Sequence, residues 1–391
     1  MPETPQRTPI YDRHQDLGAV TESFSGWELP TYYEMNESRS DEYDLPTHVN
    51  ESSAIGVEHL ATRENVGISD VSVLGPIEIT GSGAPEFVQR AFTNDMDLDI
   101  GQVRYTILLN DDGENMGDLT VTRLDDKRYF AFTLGGEVIE EQTEWLQTNA
   151  PNDVSVNNLG DAYMNISLWG PNASEVLSPL TDADMSRDEF PYYTGQQFEV
   201  AGVSALVMRI SFVGEFGWEL WVRSEDHAEL WDTLWEFGQE HDITPFGLGA
   251  LDAMSLEKGF RLLGYDMGPE NSPFEANLDF AVDMDTDFIG KDTLERALNE
   301  GVEQQVACIT MDDDTVLPDV GEPVLVNEDV VAEVDRNAYG YSVEENIVTA
   351  YLPVKAAEPG TNVEVELNSD QYSATVCEEP LFDPDNTRMR D

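Results

Sequence analysis

The spacing of apolar and polar positions divides the chain near residue 290. Before it, hairpins alternate with helices and no regular strand–helix–strand repeat appears. Pro76-Ile-Glu-Ile-Thr-Gly alternates as a strand, and Phe87, Val88, Ala91 and Phe92 recur at helical spacing behind Pro85. Strands are predicted at 128–133, 163–169, twice within 198–212, and at 217–222. Helices are predicted at 137–148, from about 172, at 226–241 with Leu230, Leu234 and Phe237 on one face, and at 247–260. This mixture predicts an α+β architecture rather than a doubly wound parallel sheet. From Glu303, short runs at 306–310, 322–326, 330–334, 347–352, 362–367 and 372–376 are separated by Gly, Pro, Asn and Asp. They predict an all-β closing unit, a small barrel. The domain expectation is therefore 1–290 and 300–391.

Two segments are read with less regularity. Residues 36–51 are polar and predict an inserted surface loop. Residues 59–67 begin as a short helix, with Gly67 as the glycine just past its end.

Residues 107–123 form the stretch around which the chemistry is sought. Leu108 and Leu109 close an apolar run, 110–117 is rich in turn formers, and Leu119 and Val121 resume a two-residue alternation. Asp118 is placed where the second strand of this hairpin begins, its carboxylate at the mouth of a sheet. A hairpin Asp ordinarily bonds nearby backbone N–H groups, so residue type alone does not make it functional.

Composition sharpens the compartment more than the function. The chain has 391 residues, 79 Asp plus Glu against 20 Lys plus Arg, and a formal charge of −59; lysine occurs only at Lys127, Lys258, Lys291 and Lys355. A disordered acidic chain would be poor in aromatics. This one has seven Trp, 14 Tyr, 16 Phe and 40% hydrophobic residues, so it is a folded protein with a carboxylate-covered surface. Concentrated salt screens such a surface beyond about 3 Å at 1 M, and the pattern predicts a halophile's cytoplasmic protein. The charge argues against a nucleic-acid partner, whose phosphates require a basic patch. No apolar run approaches membrane-spanning length and the N-terminus lacks a signal pattern, which predicts no membrane association.

Cys308 and Cys377, far apart in sequence, are expected to be reduced and buried. His14, His48, His59, His227 and His241 have no metal-ligand spacing and are expected at the surface or as caps, so no metal site is predicted. Trp218, Trp221, Trp231 and Trp235 are read as core packing rather than a stacking stripe.

An ordered set of motifs resembles the folate-binding aminomethyltransferase family, whose type member is the T-protein of the glycine cleavage system. The set includes Phe24-Ser-Gly-Trp-Glu-Leu-Pro, Arg63-Glu-Asn-Val-Gly-Ile-Ser-Asp-Val-Ser, Gly101-Gln-Val-Arg-Tyr-Thr-Ile-Leu-Leu-Asn and Gly117-Asp-Leu-Thr-Val-Thr-Arg. It continues with Arg209-Ile-Ser-Phe-Val-Gly-Glu-Phe-Gly-Trp-Glu-Leu, Gly249-Ala-Leu-Asp-Ala-Met-Ser-Leu-Glu-Lys-Gly and Phe288-Ile-Gly-Lys, covering nearly the whole chain. The resemblance implies a three-domain cloverleaf: two mixed antiparallel-sheet and helix domains plus a C-terminal β-barrel, with tetrahydrofolate in a central channel. It implies Asp118 as the catalytic aspartate, Glu219 as the carboxylate that takes the pterin's paired donors, and Tyr105 as a folate-lining residue.

The departures fall at Leu251, where the glycine-cleavage enzymes carry Arg, and at Phe212 and Phe260, where they carry pterin-side tyrosines. Losing a guanidinium removes a bidentate anchor. These features resemble the folate-binding half of dimethylglycine and sarcosine dehydrogenases, although no strand–GxGxxG–helix unit for FAD is present. The implied activity is transfer of a methylene group from an aminomethyl donor to tetrahydrofolate with release of ammonia, the donor carried by a lipoyl protein. The alternatives are a folate-dependent demethylase of a small methylated amine, osmolyte or aromatic ether, and a folate-binding protein without transferase chemistry.

Overall fold

The computed structural model describes residues 4–47, 49 and 52–390. Three large sheets meet around one interior space. The first, all antiparallel, has the order Val103–Leu109, Asn115–Asp125, Arg128–Leu134, Leu74–Gly81, Val154–Asn158. Its apolar face is covered by the helices Ala84–Ala91 and Glu137–Asn149, which bury Phe87, Val88, Ile139 and Leu146 against Ile79, Val121 and Ala131. The second has the order Gly195–Val200, Val203–Met208, Gly217–Arg223, Tyr163–Trp169, Val66–Asp70, Ile243–Pro245; only its last pair is parallel. The helix His227–Gly238 lays Leu230, Trp231 and Leu234 on it. The two sheets meet through Val103, Phe130, Phe132, Leu206, Met208 and Trp221, with the Phe132 and Trp221 rings 4.4 Å apart.

The third sheet holds seven antiparallel strands, in the order Asp329–Glu333, Pro323–Val326, Asn362–Leu367, Asp370–Cys377, Gln304–Met311, Glu345–Pro353, Arg336–Gly340. It curls into a half-barrel around Ile309, Val324, Val348, Val365 and Val376. Arg336, buried, ties it to the helix Leu248–Glu257: its guanidinium donates to Asp252 at 2.9 Å, to Asp266 at 3.1 Å and to the Ser255 hydroxyl. The α+β cloverleaf expected from sequence is therefore the observed fold class.

Several local expectations are revised. Residues Glu34–Glu42 form a 3-10 run rather than a free loop. Asn36 is buried and donates to Glu58 and to the Pro245 carbonyl, both at 3.0 Å. The helix spans Ser53–Glu64, capped by the Ser52 hydroxyl, and Gly67 lies inside the following strand rather than at the helix end. There it is required by contact: a Cβ at Gly67 would sit 2.3 Å from Thr62 Oγ1 and 2.7 Å from the Phe246 ring. Gly67→Ala is accordingly expected to destabilise the protein by about 1–3 kcal/mol, as overpacking does, read from the denaturant midpoint in concentrated salt. The strands Val154–Asn158 and Arg336–Gly340 and the helix Lys291–Glu300 are further elements that the sequence reading does not contain.

Three of the histidines are not surface groups, whereas His241 is partly exposed at the end of a 3-10 turn, as expected. His14, His59 and His227 are buried, and His48 lies outside the described residues. His14 Nε2 is 3.0 Å from Asp70 and its Nδ1 2.9 Å from the Tyr33 hydroxyl, while His227 lies 3.8 Å from Asp70. Burial alone would raise the Asp70 carboxyl, yet His227 and His14 hold it below the usual carboxylate range. Among the described residues no group of three or more His, Cys, Asp or Glu could hold a metal ion. No described helix is long and apolar enough to cross a membrane.

Candidate active site

The interior space has a volume of about 920 Å³, and its wall includes Tyr105, Asp118, Phe212, Glu219, Leu251 and Phe260. All six residues singled out in the sequence thus line one cavity, although they come from three stretches of the chain, 105–118, 212–219 and 251–260.

Asp118 is held by the first hairpin. The loop 110–114 is closed by Asn110, whose side-chain oxygen accepts from the N–H groups of Asp112 and Glu114 at 3.0 and 2.9 Å. The second strand begins at Asn115, earlier than the turn composition suggests, so Asp118 is a strand residue paired with Ile107. Tyr105 pairs with Thr120 two rungs away on the same face. From there its hydroxyl faces the Asp118 carboxylate and favours its charged form. Burial within the protein raises Asp118 to about 6; the Tyr105 hydroxyl opposes the rise and Asp266 adds to it. The carboxyl therefore sits on the boundary between acid and base near neutral pH while still open to the cavity. Tyr105 is in turn stacked on Phe280, with centroids 5.7 Å apart and planes at 22°.

Glu219 lies in the strand Gly217–Arg223, which is buried on both faces up to Val222. Its Oε2 accepts from Asn165 Nδ2 at 3.1 Å and Trp221 Nε1 at 3.0 Å. Asn165 is itself fixed through its backbone N–H to the Ser72 hydroxyl at 3.1 Å. Among the described residues no hydrogen bond reaches Oε1, so the carboxylate keeps one oxygen for a ligand. Burial raises Glu219 to about 7 against the lowering effect of the Trp221 and Asn165 bonds. Trp221 is core packing, as expected, and also orients Glu219.

The substituted positions make an apolar wall. Phe212 and Phe260 stack with centroids 5.8 Å apart and planes at 29°, and Leu251 packs in the same apolar cluster as Phe212. The nearby cations do not replace the missing guanidinium. Lys258 Nζ donates to the carbonyls of Phe382 and Asp383 at 2.9 and 2.8 Å, and burial lowers it to about 8. Arg261 forms a two-bond fork with Glu379.

Other wall residues were not found by the motif reading. Tyr192, Tyr193, Met389 and Arg390 line the cavity, the C-terminal residues being held by Arg209, which donates to the Arg390 carbonyl at 3.1 Å. The adjacent pair Tyr192-Tyr193 and the two arginines ending an otherwise acidic chain were the available signals. Glu22 and Asp252 also reach the cavity. Burial raises both, and the Asp252 charge adds to the rise at Glu22.

Two family models match the chain: the GCVT N-terminal domain over residues 10–286, and the glycine cleavage T-protein C-terminal barrel domain over residues 304–383. The chain belongs to the glycine cleavage T-protein family. An aminomethyltransferase from Symbiobacterium thermophilum is 34% identical, covering 98% of each chain. A mitochondrial dimethylglycine dehydrogenase from Mus musculus is 31% identical over 94% of this chain, which spans only 42% of that longer protein. The crystal structure of the glycine cleavage system aminomethyltransferase T from Bartonella henselae superposes with a TM-score of 0.84 at 26% identity, covering 97% of this chain and 98% of that one. As a member of this family the protein is a tetrahydrofolate-dependent transferase of the aminomethyltransferase type.

Proposed function

We infer that the protein transfers a methylene group from an aminomethyl donor to tetrahydrofolate with release of ammonia, and that Asp118, Glu219, Tyr105, Phe212, Leu251 and Phe260 form its site. The observation that carries the residue roles is the pair of enclosed carboxyls, raised to about 6 and about 7, that face one 920 Å³ cavity. Perturbed carboxyls in an apolar cavity with a few convergent polar groups mark a site of this kind. The residues fit a reduced folate: Glu219 has an acceptor oxygen to offer paired N–H donors, and the aromatic walls suit a flat ring. Bound tetrahydrofolate supplies the nitrogens that take up the one-carbon unit. Asp118, in its ionised form, accepts a hydrogen bond from such a nitrogen and can remove its proton, while Tyr105 fixes the carboxylate's direction. Glu219 anchors the ring, and the apolar residues exclude water from the reacting carbon. Residues 1–290 are proposed as the folate-binding region and 300–391 as the closing unit, with the helix Lys291–Glu300 between them.

The donor is proposed to be the aminomethyl group on a lipoyl carrier protein. A small methylated amine is the second reading. It is favoured by the Phe212–Phe260 stack and Leu251, which make part of the cavity apolar, and by Glu22, Asp252 and Tyr265, which would suit a cationic nitrogen. The charge of −59 supports a working place in a cytoplasm of concentrated salt. One assay addresses these points: formation of methylenetetrahydrofolate and ammonia from an aminomethylated lipoyl carrier, against formation of 5-methyltetrahydrofolate and sarcosine from dimethylglycine as competing donor, over rising KCl. Turnover of the carrier that increases with KCl is expected. Turnover of dimethylglycine alone would move the assignment to the second reading, and activity maximal without salt would remove the halophilic one.

A further inference from the structure

The two cysteines, 69 positions apart in the chain, are directly opposed in the third sheet. Cys308 on Gln304–Met311 is the register partner of Cys377 on Asp370–Cys377. The Asp312 N–H to Ser373 carbonyl bond, 3.0 Å, marks a hydrogen-bonded rung of this ladder. Counting back by twos makes 308–377 a rung of the same kind. Such rungs hold their Cα atoms about 5.5 Å apart, within the roughly 4.4–6.8 Å that a disulfide spans. Their Cβ atoms start at about 5.5 Å, so the bond forms by drawing the two strands together and is the readily reduced kind. Both side chains belong to the same apolar cluster and both line the cavity, so they point the same way. Both are free thiols.

Their surroundings divide the chemical roles. Cys308 is buried, and burial, then the neighbouring Glu379 and Cys377, push its thiol well above its ordinary range. Cys377 is half-buried, with the Thr310 hydroxyl 3.2 Å from its sulfur. A hydroxyl at that distance can donate to a thiolate and support it. Cys377 is thus the sulfur that a reagent entering the cavity meets first, and Cys308 stands behind it.

The geometry points to a reversible cross-strand disulfide between Cys308 and Cys377, formed in the cavity wall by exchange with a low-molecular-weight disulfide and blocked when a folate fills the cavity. In the first step the Cys377 thiolate attacks one sulfur of the external disulfide; that S–S bond breaks, a mixed disulfide forms, and one thiolate leaves and takes up a proton. In the second, Cys308 gives up its proton and attacks the Cys377 sulfur, expelling the second external thiolate, which is protonated in turn. Two protein thiols are oxidised and one external disulfide is reduced to two thiols. The blocking part rests on the proposed folate occupancy; the disulfide itself does not.

The test treats the full chain, in concentrated KCl, with glutathione disulfide, followed by alkylation and mass spectrometry without reduction. The wild type is expected to lose both alkylatable thiols and two hydrogens of mass, to yield a peptide linking the two strands, and to recover both thiols with dithiothreitol. Cys308→Ser is expected to stop as a single glutathione adduct on Cys377, and Cys377→Ser to stay unmodified. A wild type that keeps two alkylatable thiols, or that accumulates stable glutathione adducts in place of the linked peptide, overturns the proposal. A second arm adds 5-formyltetrahydrofolate at about ten times its Kd, which should slow disulfide formation roughly tenfold. Unchanged kinetics there would leave the cysteine pair standing and count against folate in this part of the cavity.

Discussion

Asp118→Asn is expected to bind tetrahydrofolate within a few-fold of the wild type and to lower kcat by about 10²–10⁴, the usual contribution of a positioned proton acceptor. The amide keeps the shape of the side chain and can still accept from Tyr105, but it cannot take a proton. The pH dependence supplies an independent check. The raised carboxyl at about 6 must be ionised to act, so wild-type kcat falls as pH drops through about 6, and the variant loses that limb of the profile. The stability effect has the opposite sense. A carboxyl raised in the folded state destabilises it above that pKa, and the cost disappears below the unfolded value near 4. Asp118→Asn should therefore melt at a higher temperature than the wild type at pH 8, with the difference fading towards pH 4. Single-turnover kinetics and thermal melts over this range check both. Unaltered turnover in the variant would remove Asp118 from the chemistry.

Glu219→Gln is expected to weaken folate binding by about 1.5–3 kcal/mol, the range for a hydrogen bond to a charged group, or roughly 10–100-fold in Kd. The amide faces a choice that the carboxylate does not. Asn165 and Trp221 both donate to one oxygen, so the amide oxygen must stay with them and its NH2 then confronts the ligand's donors. The pH effect follows from the raised value of about 7: below it the carboxyl carries a proton and loses an acceptor, so binding weakens as pH falls through 7. Binding near pH 7 should also release a proton, because the ligand's donors favour the charged form. Calorimetry in buffers of different ionisation enthalpy measures that release, and Glu219→Gln should abolish it. A variant that binds as tightly as the wild type would place the pterin elsewhere.

Both predictions concern groups whose neighbours differ from what local sequence suggests. Asp118 was visible because a hairpin has a local signature and because the surrounding motif resembles the family. Its perturbation comes first from burial, which Tyr105 across the ladder opposes and Asp266 from a distant loop reinforces. Glu219 sits in an apolar strand of an acid-rich chain and was singled out by the resemblance alone. Asn165, the partner that holds its Oε2, lies 54 residues earlier and belongs to a different strand. Arg390 joins the cavity wall beside Tyr192 and Tyr193 with its carbonyl held by Arg209, a residue 181 positions earlier.

The α+β class, the change to all-β structure after residue 303, the central hairpin, most helices and the candidate residues were legible in the chain before folding. These depend on side-chain periodicity and turn chemistry within a few residues, or on ordered motifs. Only the tertiary structure decided that Gly67 answers to packing rather than capping, that three histidines are interior, and that Cys308 faces Cys377. It alone decided that carboxyls from separate sheets share one enclosed space. The physical reason is the same throughout: register, burial and charge proximity are set by contacts between segments far apart in the chain, and no local pattern encodes them.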